Sequence, residues 1–356
     1  MVEAFNNVLK TFQERDLFSG VVLLARDGHP IYQKACGYAN RVFNVANRIE
    51  TRFATASVTK MFTAAAVMNL IDNGDVQLNT PVTRYLGLEE CQISKQITVE
   101  HLLTHMSGIA DYFDDGDPNG FENLWLSIGS STVDRPSRLL PLFMDERQIT
   151  SPGESFDYNG AGYILLGLII EKASGLHYED YIRKYIFRRA GMNHSDFIPM
   201  NRVVLDVAEG YIPLRDGNHS LLGWKRNIYS VPAYGLPDGG AYCTAWDLVH
   251  FLRALRDGRL LSRTTQEAMC SPVIPVSRSG RYGYGVWCEM DDERIIRYGH
   301  TGEDPGVSAR AYHYPIFNLD LVILGNQSYC AGELDSQMHR ILIEQAEDEM
   351  GGISTP

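Results

Sequence analysis

The sequence predicts an α/β protein of the α+β type, an antiparallel sheet with helices packed on it. Three observations lead there. A helix and a strand hairpin open the chain, a long middle region has helical runs and loop residues but few strand patterns, and strands return before a last helix. With 356 residues, 44% of them hydrophobic, the chain can fill the core of one large domain or two.

Phe5, Val8, Leu9 and Phe12 fall at helical spacing near the start. Residues 19–26 read as a buried strand, Asp27 and Gly28 as a turn, and residues 31–38 as the returning strand. Next comes FATASVTKMFTAAAVM, residues 53–68, where Ser57 and Lys60 precede a nearly unbroken apolar run that Gly74 closes. A helix of about four turns follows, and positions i and i+3 share a face, so hydroxyl and amine can meet. A lysine among apolar neighbours loses solvation of its charged form and can serve as a neutral base. A serine at a helix N-terminus sits where free N–H groups favour developing negative charge. Together they make a nucleophile with a base beside it. The plainer alternative is a helix cap next to a solvated lysine, which the apolar neighbours disfavour.

Residues 76–216 read as mostly helical, and residues 1–75 and 217–356 as the sheet-containing part. Thr98 caps a short helix carrying His101 and His105 at i, i+4. That spacing suits a metal, but no glutamate base and no third ligand accompany it, so hydrogen-bonded structural histidines are expected. Residues 111–117, DYFDDGD, resemble a calcium loop without its terminal glutamate and read as a solvated acidic loop. A turn-rich segment, 151–160, leads into a helix over 162–174 that Gly175 stops. Tyr158 on that segment either fills space with a wet hydroxyl or aims a phenol into a site, and the pattern leaves both open. Thr244 caps a helix over 246–256. Strands are predicted at 284–290, 294–298, 307–314 and 319–325, and a final helix at 334–349. Between the second and third of these strands lies GHTGEDPG, residues 299–306. Its glycines let a substrate backbone approach, and His300 and Thr301 put donors beside it.

A formal charge of -12 and a pI near 5.3 argue against nucleic acid and anionic membrane surfaces as partners. No run approaches the roughly 20 apolar residues of a membrane span, and the first residues do not read as a signal peptide. Six scattered cysteines without a C-x-x-C read as reduced packing residues, which points to the cytoplasm, although a mature secreted form fits the same residues. The sequence GRYGYG at 280–285 does not match the dinucleotide fingerprint, and G-x-S-x-G is absent. No cofactor is expected.

Three pieces stand in one order: Ser57-Val58-Thr59-Lys60, Tyr158-Asn159-Gly160 and His300-Thr301-Gly302. This set resembles the serine β-lactamase and penicillin-binding-protein-like superfamily, nearest its class C branch with D-alanyl-D-alanine carboxypeptidases, D-aminopeptidases and family VIII esterases. Stretches at 18–22, 74–78, 101–108 and 162–167 read like the same family text. The resemblance implies an antiparallel sheet made from both chain ends, flanked by helices, with an inserted mostly helical region and a cleft between them. It implies Ser57 as the acylated nucleophile, Lys60 as its partner in proton transfer, and Tyr158 as base or relay. His300 would stand for the lysine of K-T-G, with Thr301 and Gly302 beside the substrate. Backbone N–H groups of Ser57 and Glu303 would form the oxyanion hole. The motif Y-x-N departs here. Gly160 holds the place of an asparagine that in the family binds the substrate's acylamide and holds the lysine, and Asn159 could substitute only if the loop is shifted. The expected function is a serine hydrolase of small esters, amides or peptides, open to a covalent β-lactam adduct. The alternatives are a D-alanyl-D-alanine carboxypeptidase or β-lactamase, an acyltransferase, and a catalytically silent binding homologue.

Overall fold

The computed structural model describes residues 1–113, 120–218 and 220–351. A large antiparallel sheet runs through it. In chain order its strands are β1 (Gly20–Arg26), β2 (His29–Cys36), β3 (Ile274–Pro275), β4 (Gly280–Tyr282), β5 (Trp287–Asp291), β6 (Arg294–Asp304), β7 (Val307–Tyr314) and β8 (Leu319–Gly325). Across the sheet the order is β3-β4-β5-β6-β7-β8-β1-β2, so strands from the two chain ends meet where β8 pairs with β1, Gly20 opposite Gly325.

Side chains alternate across a strand, and both faces here are covered. From β1, Val21, Leu23 and Ala25 join one core while Val22 and Leu24 join another. From β8, Val322 and Leu324 divide from Leu321 and Ile323 in the same way. This double burial is why these strands read as continuous apolar runs. The smaller core lies under α1 (Val2–Glu14) and α5 (Gly332–Gly351), with Phe5, Leu9 and Phe12 meeting the level of Leu334, Met338 and Leu342. The larger core lies on the opposite face. It includes α2 (Thr59–Asp72), α3 (Gly160–Ser174) and α4 (Ala245–Arg256).

Every residue of α2 from Thr59 to Leu70 is buried, because the sheet covers one side of the helix and α3 with its neighbours the other. Asn159 caps α3 by accepting from the Gly162 N–H at 2.8 Å, and Gly175 ends the helix at φ 70°. Thr244 caps α4 by accepting from the Asp247 N–H. A hairpin of Tyr211–Arg215 and Leu221–Arg226 straddles the expected boundary at 216–217.

The strand expected at 294–298 instead continues to Asp304, so residues 299–304 are sheet and not loop. The glycines there serve close approach. A Cβ on Gly299 would lie 1.9 Å from the Ala311 carbonyl oxygen, and one on Gly302 would lie 2.1 Å from the Thr55 carbonyl oxygen. No helix among the described residues is long and apolar enough to cross a membrane.

Candidate active site

Ser57 sits in a single 3-10 turn, Ala56–Val58, that feeds α2. Ala56 is held at φ 45°, a left-handed conformation that costs a residue with a Cβ about 1 kcal/mol or more. Hydrogen bonds on either side impose it. The Thr55 N–H and hydroxyl both donate to the Ala241 carbonyl at 2.9 Å, and the Ala241 N–H donates to the Thr59 hydroxyl at 3.1 Å. A Cβ at Gly302 would also come within 3.1 Å of the Ser57 nitrogen, so glycine there lets β6 lie against the turn. Pairing with β5 stops at Gly299, opposite Trp287, which leaves this edge of β6 to the Ser57 turn.

Lys60 lies one helical turn on. Its Nζ donates to Ser57 Oγ at 3.0 Å and to the Asp238 carbonyl at 2.8 Å. The ammonium also stands 5.0 Å from the ring centre of Tyr158 and 5.5 Å from that of Tyr163. Burial alone would push its pKa down, but Tyr158, Asp238 and Asp111 act the other way, and the pKa ends above that of an ordinary lysine. Beside the neutral base expected from burial alone, these neighbours push Lys60 towards its charged form. Burial likewise lifts the Tyr158 phenol, against the pull of Lys60 and of its hydrogen bonds to Ser57 and Lys60.

Tyr158 stacks on Trp287, with ring centres 6.0 Å apart and planes at 17°, and lies against His105 at 4.3 Å. His105 belongs to a chain of side chains whose direction its ends fix. The Asn159 N–H donates to His105 Nδ1 at 3.0 Å, so the neutral ring carries its hydrogen on Nε2 and donates to the Tyr282 hydroxyl at 3.2 Å. The hydroxyl donates in turn to His300 Nε2 at 3.1 Å, and His300 Nδ1–H donates to the Thr301 carbonyl at 2.5 Å. Burial keeps both rings neutral, pushing His105 well below the usual range and His300 down to about 3. His101 is separately engaged, its Nδ1 accepting from the Thr98 N–H in the helix cap. Among the described residues no group of three or more His, Cys, Asp or Glu side chains is placed to hold a metal ion.

The Beta-lactamase family profile matches residues 5–345. The chain belongs to that family. It is 27% identical to penicillin-binding protein 4* of Bacillus subtilis over 97% of this chain and 75% of that protein. To the esterase EstB of Burkholderia gladioli it is 27% identical over 69% of this chain and 68% of that one. The crystal structure of a penicillin-binding protein from Bacillus halodurans superimposes with a TM-score of 0.87 at 35% identity, covering 94% of this chain and 99% of that one.

The family's Y-x-N asparagine has no direct counterpart. Asn159 is buried, its Oδ1 on the Gly162 N–H and its Nδ2 on the Ile109 carbonyl at 3.0 Å, and it does not line the cavity beside Ser57. His300, Thr301 and Gly302 also lie outside the lining, whereas Glu303 is part of it. Gly160 does line the cavity, and a Cβ there would meet Asp238 Oδ2 at 2.8 Å and Asp111 Oδ1 at 3.3 Å. Acidic side chains hold the ground that an asparagine at 160 would need.

Those carboxyls were not singled out from the sequence. Asp111, Tyr112 and Phe113, read there as part of a solvated loop, are at the cavity wall, while the rest of that reading, residues 114–117, lies outside the described residues. Asp111 accepts from the N–H groups of Tyr112, Gly160 and Ala161 at 2.6–3.0 Å, at the N-terminus of α3. Asp238 Oδ2 accepts from the Tyr112 hydroxyl at 2.5 Å. Glu303 is matched by Arg310 at 2.7 Å and by the Ser308 hydroxyl at 2.8 Å. Burial raises all four, taking Asp111 to about 6 and Asp304 to about 7. The signal available in the sequence was faint: Asp238 and Asp304 each stand beside glycine or proline, and Asp304 closely follows His300-Thr301-Gly302.

Proposed function

We propose that this protein is a serine hydrolase that forms an acyl-enzyme on Ser57 and acts on small esters and amides. The contact that carries the proposal is the 3.0 Å hydrogen bond from Lys60 to Ser57 Oγ within a cavity that Tyr158 also lines. In the first half of the reaction Ser57 Oγ attacks the substrate carbonyl carbon, and its proton passes to the Lys60–Tyr158 pair. The carbonyl oxygen gains negative charge opposite the Ser57 and Glu303 N–H groups. Collapse breaks the C–O or C–N bond, and the departing alcohol or amine takes the proton from the pair. Water then repeats the sequence, giving its proton to the pair as its oxygen bonds to the acyl carbon, and Ser57 leaves reprotonated.

Similarity to an esterase and to penicillin-binding proteins supports the acyl-transfer class. The missing amide at 160 and the neutral His300 favour esters and simple amides over β-lactams. A fluorophosphonate followed by intact mass tests the reading. Wild type gains one adduct and Ser57→Ala gains none, with turnover of p-nitrophenyl esters lowered about 10³-fold or more. Equal labelling of the two proteins would exclude Ser57 as the nucleophile.

A further inference from the structure

The segment from Pro237 to Ala241 runs along the Ser57 turn and the start of α2 and is fastened to them bond by bond. The Thr55 N–H and hydroxyl donate to the Ala241 carbonyl, the Ala241 N–H donates to the Thr59 hydroxyl, and the Thr63 hydroxyl donates to the Pro237 carbonyl at 2.5 Å. Between these fixings the Asp238 carbonyl accepts from Lys60 Nζ at 2.8 Å. The Asp238 side chain is therefore placed by the same backbone that receives the lysine. It is buried, lines the cavity with Ser57, Lys60 and Tyr158, and has Oδ2 on the Tyr112 hydroxyl at 2.5 Å.

Gly160 is a second and separate observation. A Cβ there would stand 2.8 Å from Asp238 Oδ2 and 3.0 Å from the Tyr112 ring, so the Tyr112–Asp238 pair fills the space in front of this position. The resemblance drawn from the sequence gives position 160 an asparagine that holds the lysine. A buried lysine with nothing in that place is pushed by desolvation to give up its charge. A carboxylate from the facing segment meets the same need with a full charge in place of an amide dipole. Among the carboxyls around Lys60, Asp238 acts on it more strongly than Asp111, whose charge is shared among three N–H groups.

We propose that Asp238, held by Tyr112, is a positioning residue that takes over from the missing asparagine at 160: its carboxylate keeps Lys60 charged between turnovers and so sets how alkaline the medium must be before the Lys60–Tyr158 pair accepts the Ser57 proton. This rests on the acyl-enzyme reading of Ser57 and adds the residue that tunes it. The other titratable groups facing Lys60 do not supply a fixed counter-charge. Tyr158 is itself a partner in the proton transfer, and Tyr163 presents its ring at 5.5 Å. His105 and His300 are held neutral by burial, Asp304 is raised to about 7, and Glu303 faces Arg310. On the far side of Asp238, Tyr178 has its hydroxyl on Thr63 at 2.7 Å.

The pH dependence of kcat/KM for p-nitrophenyl acetate, an uncharged ester, tests this. Asp238→Asn keeps an oxygen for Tyr112 and the main-chain carbonyl for Lys60 and removes only the charge. Taking an opposite charge away from a buried group moves its titration by about one to three units, so the rising limb of Asp238→Asn is expected to level off at least about one pH unit below that of wild type. The ratio of variant to wild-type kcat/KM then falls about tenfold or more from neutral pH to the alkaline plateau. A purely structural loss scales the whole profile and leaves its midpoint in place, and that outcome overturns the inference. Should Asp238→Asn not fold, Tyr112→Phe decides, because the Tyr112 hydroxyl is the hydrogen bond that favours the charged form of Asp238. Its limb must move in the same direction, and an unmoved limb overturns the inference. Failure of the underlying reading looks different. There, wild type takes up no fluorophosphonate, or Ser57→Ala keeps the activity.

Discussion

At Gly160 the loss of one side chain reshapes the substrate side of the site. The Y-x-N motif alone would have Gly160→Asn restore a β-lactamase-like contact. In the structure the new Cβ meets Asp238 Oδ2 at 2.8 Å, so the substitution is instead expected to displace Asp238 and lower activity on every substrate. An increase in nitrocefin turnover by Gly160→Asn would contradict this. For the wild type, one absent amide hydrogen bond costs about 1–3 kcal/mol, and His300 offers no charge to a substrate carboxylate. Short aryl esters are therefore expected to be turned over at least about a hundredfold faster than cephalosporins in kcat/KM, which nitrocefin and p-nitrophenyl acetate will measure side by side. The Lys60–Tyr158 pair sets a second expectation. Both groups hold their protons more tightly than usual, so the form able to accept the Ser57 proton is scarce at pH 7 and grows as pH rises. For an uncharged ester, kcat/KM should climb about tenfold per pH unit from neutrality to beyond pH 9. A plateau reached by pH 7 would argue for another base.

Between elements, the chain from His105 through Tyr282 to His300 ties the segment carrying Tyr158 to β4 and β6. Tyr282→Phe leaves a buried N–H on His105 and a buried lone pair on His300 without partners, and should cost about 1–3 kcal/mol in urea unfolding. An unchanged midpoint would mean that the chain contributes nothing to the join. No reading of the sequence could assemble it, since its members come from three distant segments and histidine looks the same buried or exposed. The contact of Ser57 with Lys60 was legible because the turn that carries Ser57 runs directly into the helix that carries Lys60. β8 was legible to the residue, since burial on both faces leaves a run broken only by Asp320, and β7 keeps its expected bounds although Ser308, Arg310 and His313 interrupt its apolar residues. The far half of β6 was not, because Gly299 and Gly302 look like a turn when their neighbours are unknown. Asp111 misled for a similar reason: carboxylates are usually wet, and only the fold reveals three N–H groups converging on this one.

In the whole molecule, two cores share one sheet, and the smaller one rests on the chain's two ends. Phe5 is fully buried there, 5.4 Å from the ring of Tyr32. Phe5→Ala should cost about 3–5 kcal/mol of stability by denaturant unfolding although it lies on the sheet face opposite Ser57. A loss under 1 kcal/mol would show that α1 is only loosely attached.

The seam between β1 and β8 also governs how the protein is made. During synthesis the strand beginning at Gly20 waits for a partner that ends at Gly325, an interval of tens of seconds at about 5–20 residues per second. Through that wait α2 has left the ribosome with apolar side chains on every face and no completed sheet to cover them. Chains interrupted before Leu319 will therefore aggregate, and the yield of native protein in the cell will depend on holding chaperones more than on the stability of the finished fold.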